Sequence, residues 1–362
     1  MGMVMIGAME VLPYVVMFLM EGCTIGLTIL AKTAMSDGMN LFVFVAYTNV
    51  LAYLILLPYS FFYHRNGSTQ AQIGLGLFLR LFFMGLTGIT IAQYLNFIGL
   101  YNSSPIMVCA MGLLTPMFSF LIALVLRTTK PEWRSTSVQA KIIGTVISIL
   151  GGISTLIYLG PAVKGLHVPS FIQVPPQSVN FALSEDWIIG GLLLAGSAIS
   201  IIVFNIIQLS TLELYPQVLK LMSFSGLIGT ALCVAISLSV ERDLSVWVLK
   251  LDFELALIIA TAIFSGMIRN RVHLWCTHTK GPLFVPLFRP LGIFWATLFG
   301  SSFFPTTIHY GSIAGSLVIG VGYYAMMWGQ IKESETQRGH EGRNGDASDN
   351  KVPLLHDETQ EA

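Results

Sequence analysis

Charged residues are spaced so widely along this chain that whole helix-lengths pass without one. From Leu81 to Leu126 there are 46 residues, and from Pro290 to Ile331 there are 42, with no Asp, Glu, Lys or Arg. One bilayer crossing takes about 20 apolar residues, so each run holds two crossings joined by a tight turn. The apolar positions are continuous rather than alternating, which predicts helices and excludes the strands of a barrel. The pattern places spans at about 12–31, 41–62, 78–100, 104–126, 139–158, 187–209, 217–239, 254–272, 282–304 and 309–330. Turn-forming residues fill the gaps: Ser36-Asp37-Gly38, Asn102-Ser103-Ser104-Pro105, Tyr215-Pro216 and Pro305. The eighth span is the least regular, with only 14 uncharged residues between Glu254 and Arg269. The expected fold is an all-α polytopic membrane protein with ten transmembrane helices.

The segment Lys164–Asp186, rich in Pro, Ser and Gln, divides the spans five and five. This predicts a first half over 1–160, a connecting loop over 161–186, a second half over 187–331 and a disordered tail over 332–362. The halves share a faint repeat. Gly144 and Gly151 in the fifth span match Gly315 and Gly322 in the tenth at an offset of 171, and Pro116 matches Pro290 at 174. With five helices per half, the second copy enters the bilayer from the opposite side. Inverted repeats of this kind are common in secondary transporters, whose substrate site lies between the copies. Close helix packing at glycine is the alternative source of the match.

Composition narrows the picture. Hydrophobic residues make up 54% of the chain and charged residues 10%, with 19 basic against 19 acidic, so nucleic acid is not an expected partner. The partners expected are the lipid bilayer and a small-molecule substrate, and self-association into a homo-oligomer is compatible with the sequence. Cys23, Cys109, Cys233 and Cys276 lack paired spacing, and His273, Cys276 and His278 lack a nearby carboxylate. No metal, cofactor or catalytic motif is expected, so the chain is read as a non-enzyme. Twelve basic residues, Lys141, Arg269 and Arg271 among them, fall on the side of the termini and four, including Lys32, on the other. The positive-inside rule then puts both termini in the cytosol. Neither sequon, at Asn66 and Asn102, is placed for glycosylation. Pro353-Leu354-Leu355 in the tail is a weak match to a sorting signal.

Polar groups inside the spans are the candidate site. A charge at the bilayer centre costs about 2.5–3.5 kcal/mol on insertion scales, so each one retained there calls for a reason. Glu21, midway along the first span, could take a substrate ammonium or a coupling proton, or could pair structurally with Lys32. Arg289, beside Pro290, could take a carboxylate, or reach the headgroups. Gln93 and Asn96 in the third span and Asn205 and Gln208 in the sixth add hydrogen-bonding capacity, and Asn49 is a weaker candidate. Lys220 is placed near the start of the seventh span, where it can snorkel.

An ordered set of short motifs makes the chain resemble the plant nodulin-21 or walls-are-thin-related proteins, EamA-type members of the drug/metabolite transporter superfamily. The set runs Lys32, Gly38, Tyr47, Ser104-Pro105, Ala140-Lys141, Gly160-Pro161, Tyr215-Pro216 and Glu241-Arg242-Asp243 with Trp247. It continues with Trp275 before Lys280-Gly281-Pro282, then Phe288-Arg289-Pro290-Leu291 and Trp328-Gly329. The resemblance covers about residues 10–332. It implies ten helices in two EamA halves and movement of amino acids by facilitation or proton coupling, with auxin as another cargo, at the plasma membrane ahead of the vacuolar membrane. Gln93, Gln208 and Arg289 fall on polar family positions. Leu113, Thr129 and Thr306 stand where the family carries Asn or an acid, which leaves a changed cargo or a transport-deficient scaffold or sensor as the other expectations.

Overall fold

The computed structural model describes residues 2–63, 74–125, 134–158, 185–215, 218–243, 245–249, 252–281, 283–303 and 310–349. The connecting loop 161–186, Thr129, Thr306, Pro305, the Asn66 sequon and the dileucine-like tail fall outside these residues, apart from Glu185 and Asp186 where the next helix begins. The helices before the connecting loop, called the first half for their place in the chain, are α1 (Gly2–Ser36), α2 (Leu41–Tyr63), α3 (Leu75–Asn102), α4 (Pro105–Val125) and α5 (Thr136–Ile157). The second half consists of α6 (Glu185–Leu214), α7 (Val218–Val240), α8 (Phe253–Lys280), α9 (Leu291–Phe303) and α10 (Tyr310–Asp349). Among the described residues there are no strands, and eight of these helices are long and apolar enough to cross a membrane. The other two are α2, whose described apolar stretch is Leu41–Ile55, and α9, with 13 residues.

Four helices depart from regular α geometry, in two pairs. α3 carries a π-turn at Leu86–Ile91 and α8 carries one at Phe264–Ile268, 178 residues later. α4 breaks at Leu114, between Pro105–Leu113 and Thr115–Val125. Pro116 cannot donate to Gly112 and its ring crowds that carbonyl; the Thr115 hydroxyl donates to Gly112 O instead, at 2.7 Å. The expected ninth span, 282–304, is likewise divided. A 3₁₀ turn at Pro286–Phe288 precedes α9, with Arg289 and Pro290 at the joint. Pro290 deprives the Pro286 carbonyl of its helical partner, and the Tyr323 hydroxyl donates to it at 2.8 Å, with Tyr324 donating to Leu287 O at 3.2 Å.

The halves interlock most closely along α5 and α10. A Cβ on Gly144 would lie 2.6 Å from Gly322 O, and one on Gly322 would lie 2.7 Å from Gly144 O; Gly151 meets Gly315 O at 3.1 Å. The repeated glycines are thus each other's partners. The buried Lys141, counted among cytosolic flanking charges, sits on α5 and forms an ion pair with Glu333 of α10. α10 continues as helix to Asp349, where a disordered tail was expected from Lys332. An established helix extends without a new nucleation cost, and Glu, Gln, Lys and Arg propagate it well.

The ends of α1, α2 and α7 meet in a cap built from the motif residues. Asn40 donates to Glu241 at 2.6 Å, Tyr47 OH donates to Trp247 O at 2.9 Å, and the Tyr47 and Trp247 rings meet edge to face. Hydrogen bonds from Ser245 hold the exposed Asp243 carboxyl below its ordinary range. Lys32, 4% exposed, donates to Ser103 O at the α3–α4 turn rather than pairing with Glu21. Ser103 and Ser104, the rest of the second sequon, are buried, and Ser104 caps α4.

Candidate functional site

Helices from both halves hold apart around a cavity of about 370 Å³, within the range of about 300–1,000 Å³ typical of small-molecule sites. α1 contributes Thr24 and Thr28, α2 Thr48, and α3 Gly88, Gln93 and Asn96. α6 contributes Ser197 and Ile201, and α8 contributes Thr261, Phe264, Ser265 and Arg269. Both π-turns therefore reach this space, through Gly88 on one side and Phe264 and Ser265 on the other. A π-turn rotates the residues after it relative to a regular helix and leaves local carbonyls in need of partners. On α3, α6 adds side-chain donors around the turn: Ser200 donates to Thr87 O, which also accepts from Ala92 N, and Ser197 donates to Ala92 O, each hydroxyl bond being 2.8 Å.

Most hydroxyls of the wall are spent as donors, that of Thr261 being buried without a partner among the described residues. Thr24, Thr28, Thr48 and Ser265 each donate to the backbone carbonyl four residues back, at 2.7–2.8 Å. Their lone pairs remain to accept, so this part of the wall suits a ligand's N–H or O–H groups. Gln93 is fixed by a reciprocal amide pair with the buried Asn49, at 2.6 and 3.2 Å. Asn49 also donates to Val45 O at 2.8 Å, so it has the role of a brace on α2 while Gln93 faces the cavity.

Of the six residues singled out from sequence, only Gln93 and Asn96 line this cavity. Glu21 lies beside it, half-buried on α1, with its carboxylate within 4 Å of the space a side chain on Gly292 of α9 would occupy. It is in electrostatic reach of both Arg289 and Arg269. Arg289 stands at the joint before α9 and is not among the residues that line the cavity. Asn205 is exposed on α6 and Gln208 is half-buried; neither lines the cavity. Leu113, 3% exposed, belongs to the core packed between α4, α9 and α10.

Arg269 is the residue that sequence reasoning missed. It was counted among the cytosolic flanking charges even though the eighth span, drawn over 254–272, contains it. The helix instead continues to Lys280, ending at Gly281 with φ +97°, and carries Arg269 within the span directly after the π-turn. The signal was available. Fourteen residues of helix rise only about 21 Å, against a hydrocarbon core of about 30 Å. A span beginning at Glu254 has to include Arg269.

An all-helical bundle with several membrane-length helices and a polar cavity between its halves defines the class: a polytopic membrane protein built like a small-molecule carrier. Residues 12–157 match the EamA-like transporter family. Two WAT1-related proteins of Arabidopsis thaliana are 47% and 44% identical to the chain, the alignments covering 96% and 95% of both partners. A third is 36% identical over 90% of this chain and 88% of its own length. The chain belongs to this WAT1-related group of plant EamA-type drug/metabolite transporters. A crystal structure 13% identical in sequence superposes with a TM-score of 0.50 over 86% of this chain and 96% of its own, a likeness of fold alone.

Proposed function

We propose that this protein is a secondary carrier or facilitator with ten spans in two inverted halves, which moves small amphipathic metabolites, amino acids first, by alternating access. The observation that carries this reading is the cavity: a small-molecule-sized space walled by α1, α2 and α3 of one half and α6 and α8 of the other, with polar groups contributed by both. The paired π-turns, the paired proline breaks and the reciprocal glycine seam support the inverted arrangement. Rocking of one half against the other about the α5–α10 seam would open the cavity to each side in turn. Both termini are assigned to the cytosol and the protein to the plasma membrane. Glu21, Gln93, Asn96 and Arg289, with Asn205 and Gln208 along the sixth span, are the positions proposed to meet substrate during the cycle.

An organic-anion carrier is the second reading, favoured because Arg269 is the sole charged residue among those lining the cavity. Flux in proteoliposomes separates the two, using labelled glutamine and labelled auxin with and without an inward proton gradient. Saturable glutamine flux that is lost in Glu21→Gln is the expected result. Auxin flux alone would transfer the assignment to organic anions. Failure of a well-folded preparation to move either would sink the amino-acid and auxin readings together and favour a scaffold.

A further inference from the structure

Arg269 has more hydrogen-bonding capacity than the described protein uses. Its guanidinium carries five N–H donors and stays charged at any physiological pH. Its side chain is exposed to the cavity. The described structure gives it no hydrogen bond or ion pair. Glu21 and Arg289 are near enough to be felt electrostatically, yet neither is bonded to it. An arginine enclosed within a membrane span, with donors facing an open space of small-molecule size, is set up for an acceptor that arrives from outside the chain.

The surrounding charges specify that acceptor further. Arg269, Arg289 and Glu21 form one electrostatic group of two cations and one anion. One added negative charge balances it. A planar carboxylate fits the guanidinium fork in bidentate fashion, while the nearby hydroxyls of Thr24, Thr28 and Ser265 are turned to accept rather than to donate. We infer that Arg269 is the carboxylate anchor of the cavity, that it selects ligands carrying a single carboxylate, and that in this resting cavity Glu21 serves as the counter-charge to the arginines, any contact with the ligand falling later in the cycle. The inference rests on the carrier reading only in taking the cavity as the substrate's resting place. It moves the carboxylate-binding role from Arg289 to Arg269.

The test is equilibrium binding to purified full-length protein in detergent, with two carboxylates and their decarboxylated counterparts. The probes are indole-3-acetate against 3-methylindole, and L-glutamine against 4-aminobutanamide. Arg269→Gln is expected to weaken at least one carboxylate by about tenfold or more and to leave its decarboxylated counterpart unchanged. Which carboxylate responds identifies the source of the ligand. Arg269→Lys, which keeps the charge and loses the fork, is expected to recover part of the affinity, and Arg289→Gln to retain most of it. Glu21→Gln, with one negative charge removed, is expected to bind indole-3-acetate more tightly than the parent does.

Unchanged carboxylate affinity in a well-folded Arg269→Gln would overturn the inference. So would a parent that binds neither carboxylate, or an Arg289→Gln loss equal to that of Arg269→Gln. The carrier reading fails separately: carboxylate binding at Arg269 without flux in liposomes leaves the anchor standing and removes transport. Flux by Arg269→Gln with the parent's KM does the reverse.

Discussion

The π-turns of α3 and α8 are the same backbone device at matching places in the two halves, and they are used differently. In α3 the turn is packed shut. A Cβ on Gly85 would lie 2.6 Å from Ser225 O and 2.7 Å from Gly229 N, Gly88 is covered by the Phe204 ring, and Ser200 donates to the Thr87 carbonyl. In α8 the turn is looser. Gly266 leaves 3.2 Å to Ala52 O, and the side chain that approaches its carbonyl, Asn270, does so at a long 3.5 Å. The residue that leaves the α8 turn is Arg269, facing the cavity. One copy of the device locks helices together, and the other aims a charge. The same local geometry can thus serve close packing in one helix and the presentation of a charge in another.

Five substitutions test that division, beginning with the largest effect. Gly85→Ala should destabilise the protein by about 1–3 kcal/mol, because its methyl group meets backbone that cannot step aside. Gly266→Ala should cost less than half as much. Melting of the two variants in detergent checks this, and equal losses would erase the contrast. Ser200→Ala should cost about 1 kcal/mol by removing the hydroxyl's bond to Thr87 O, while Asn270→Ala should be close to neutral in the same assay. Asn49→Leu should leave the fold nearly intact but release Gln93, with KM for the transported ligand rising about threefold and kcat little changed. A fall in kcat alone would assign Gln93 to the conformational step instead.

Eight of the spans were legible as membrane-length helices because the bilayer imposes a single length scale on apolar runs, and the turn residues between them fix most boundaries to within a few positions. The glycine repeat was legible too, and the partners of those glycines are one another. What the sequence concealed follows from the same physics. Proline positions were visible, but the division of α9 depends on Tyr323 and Tyr324 reaching across from α10 to satisfy the freed carbonyls, a long-range event. The π-turns have no composition of their own. Arg269 was counted as a flanking charge although the span drawn over 254–272 contained it, because charges in the last turns of a span were read with its flank. Gln93 and Asn96 were found by their polarity in an apolar run; Asn205 satisfies the same criterion and is exposed on α6, since polarity alone does not give the direction a helix face points.

The glycine seam between α5 and α10 has a consequence for how the chain is made. Gly144 and its partner Gly322 are 178 residues apart. At a synthesis rate of about 5–20 residues per second, roughly 9–36 s separate their emergence. Throughout that interval α5 stands in the bilayer with a bare strip of backbone and no neighbour shaped to cover it. A chain cut short before Gly315 never closes the strip, which gives the membrane's surveillance machinery a direct way to tell an unfinished molecule from a complete one.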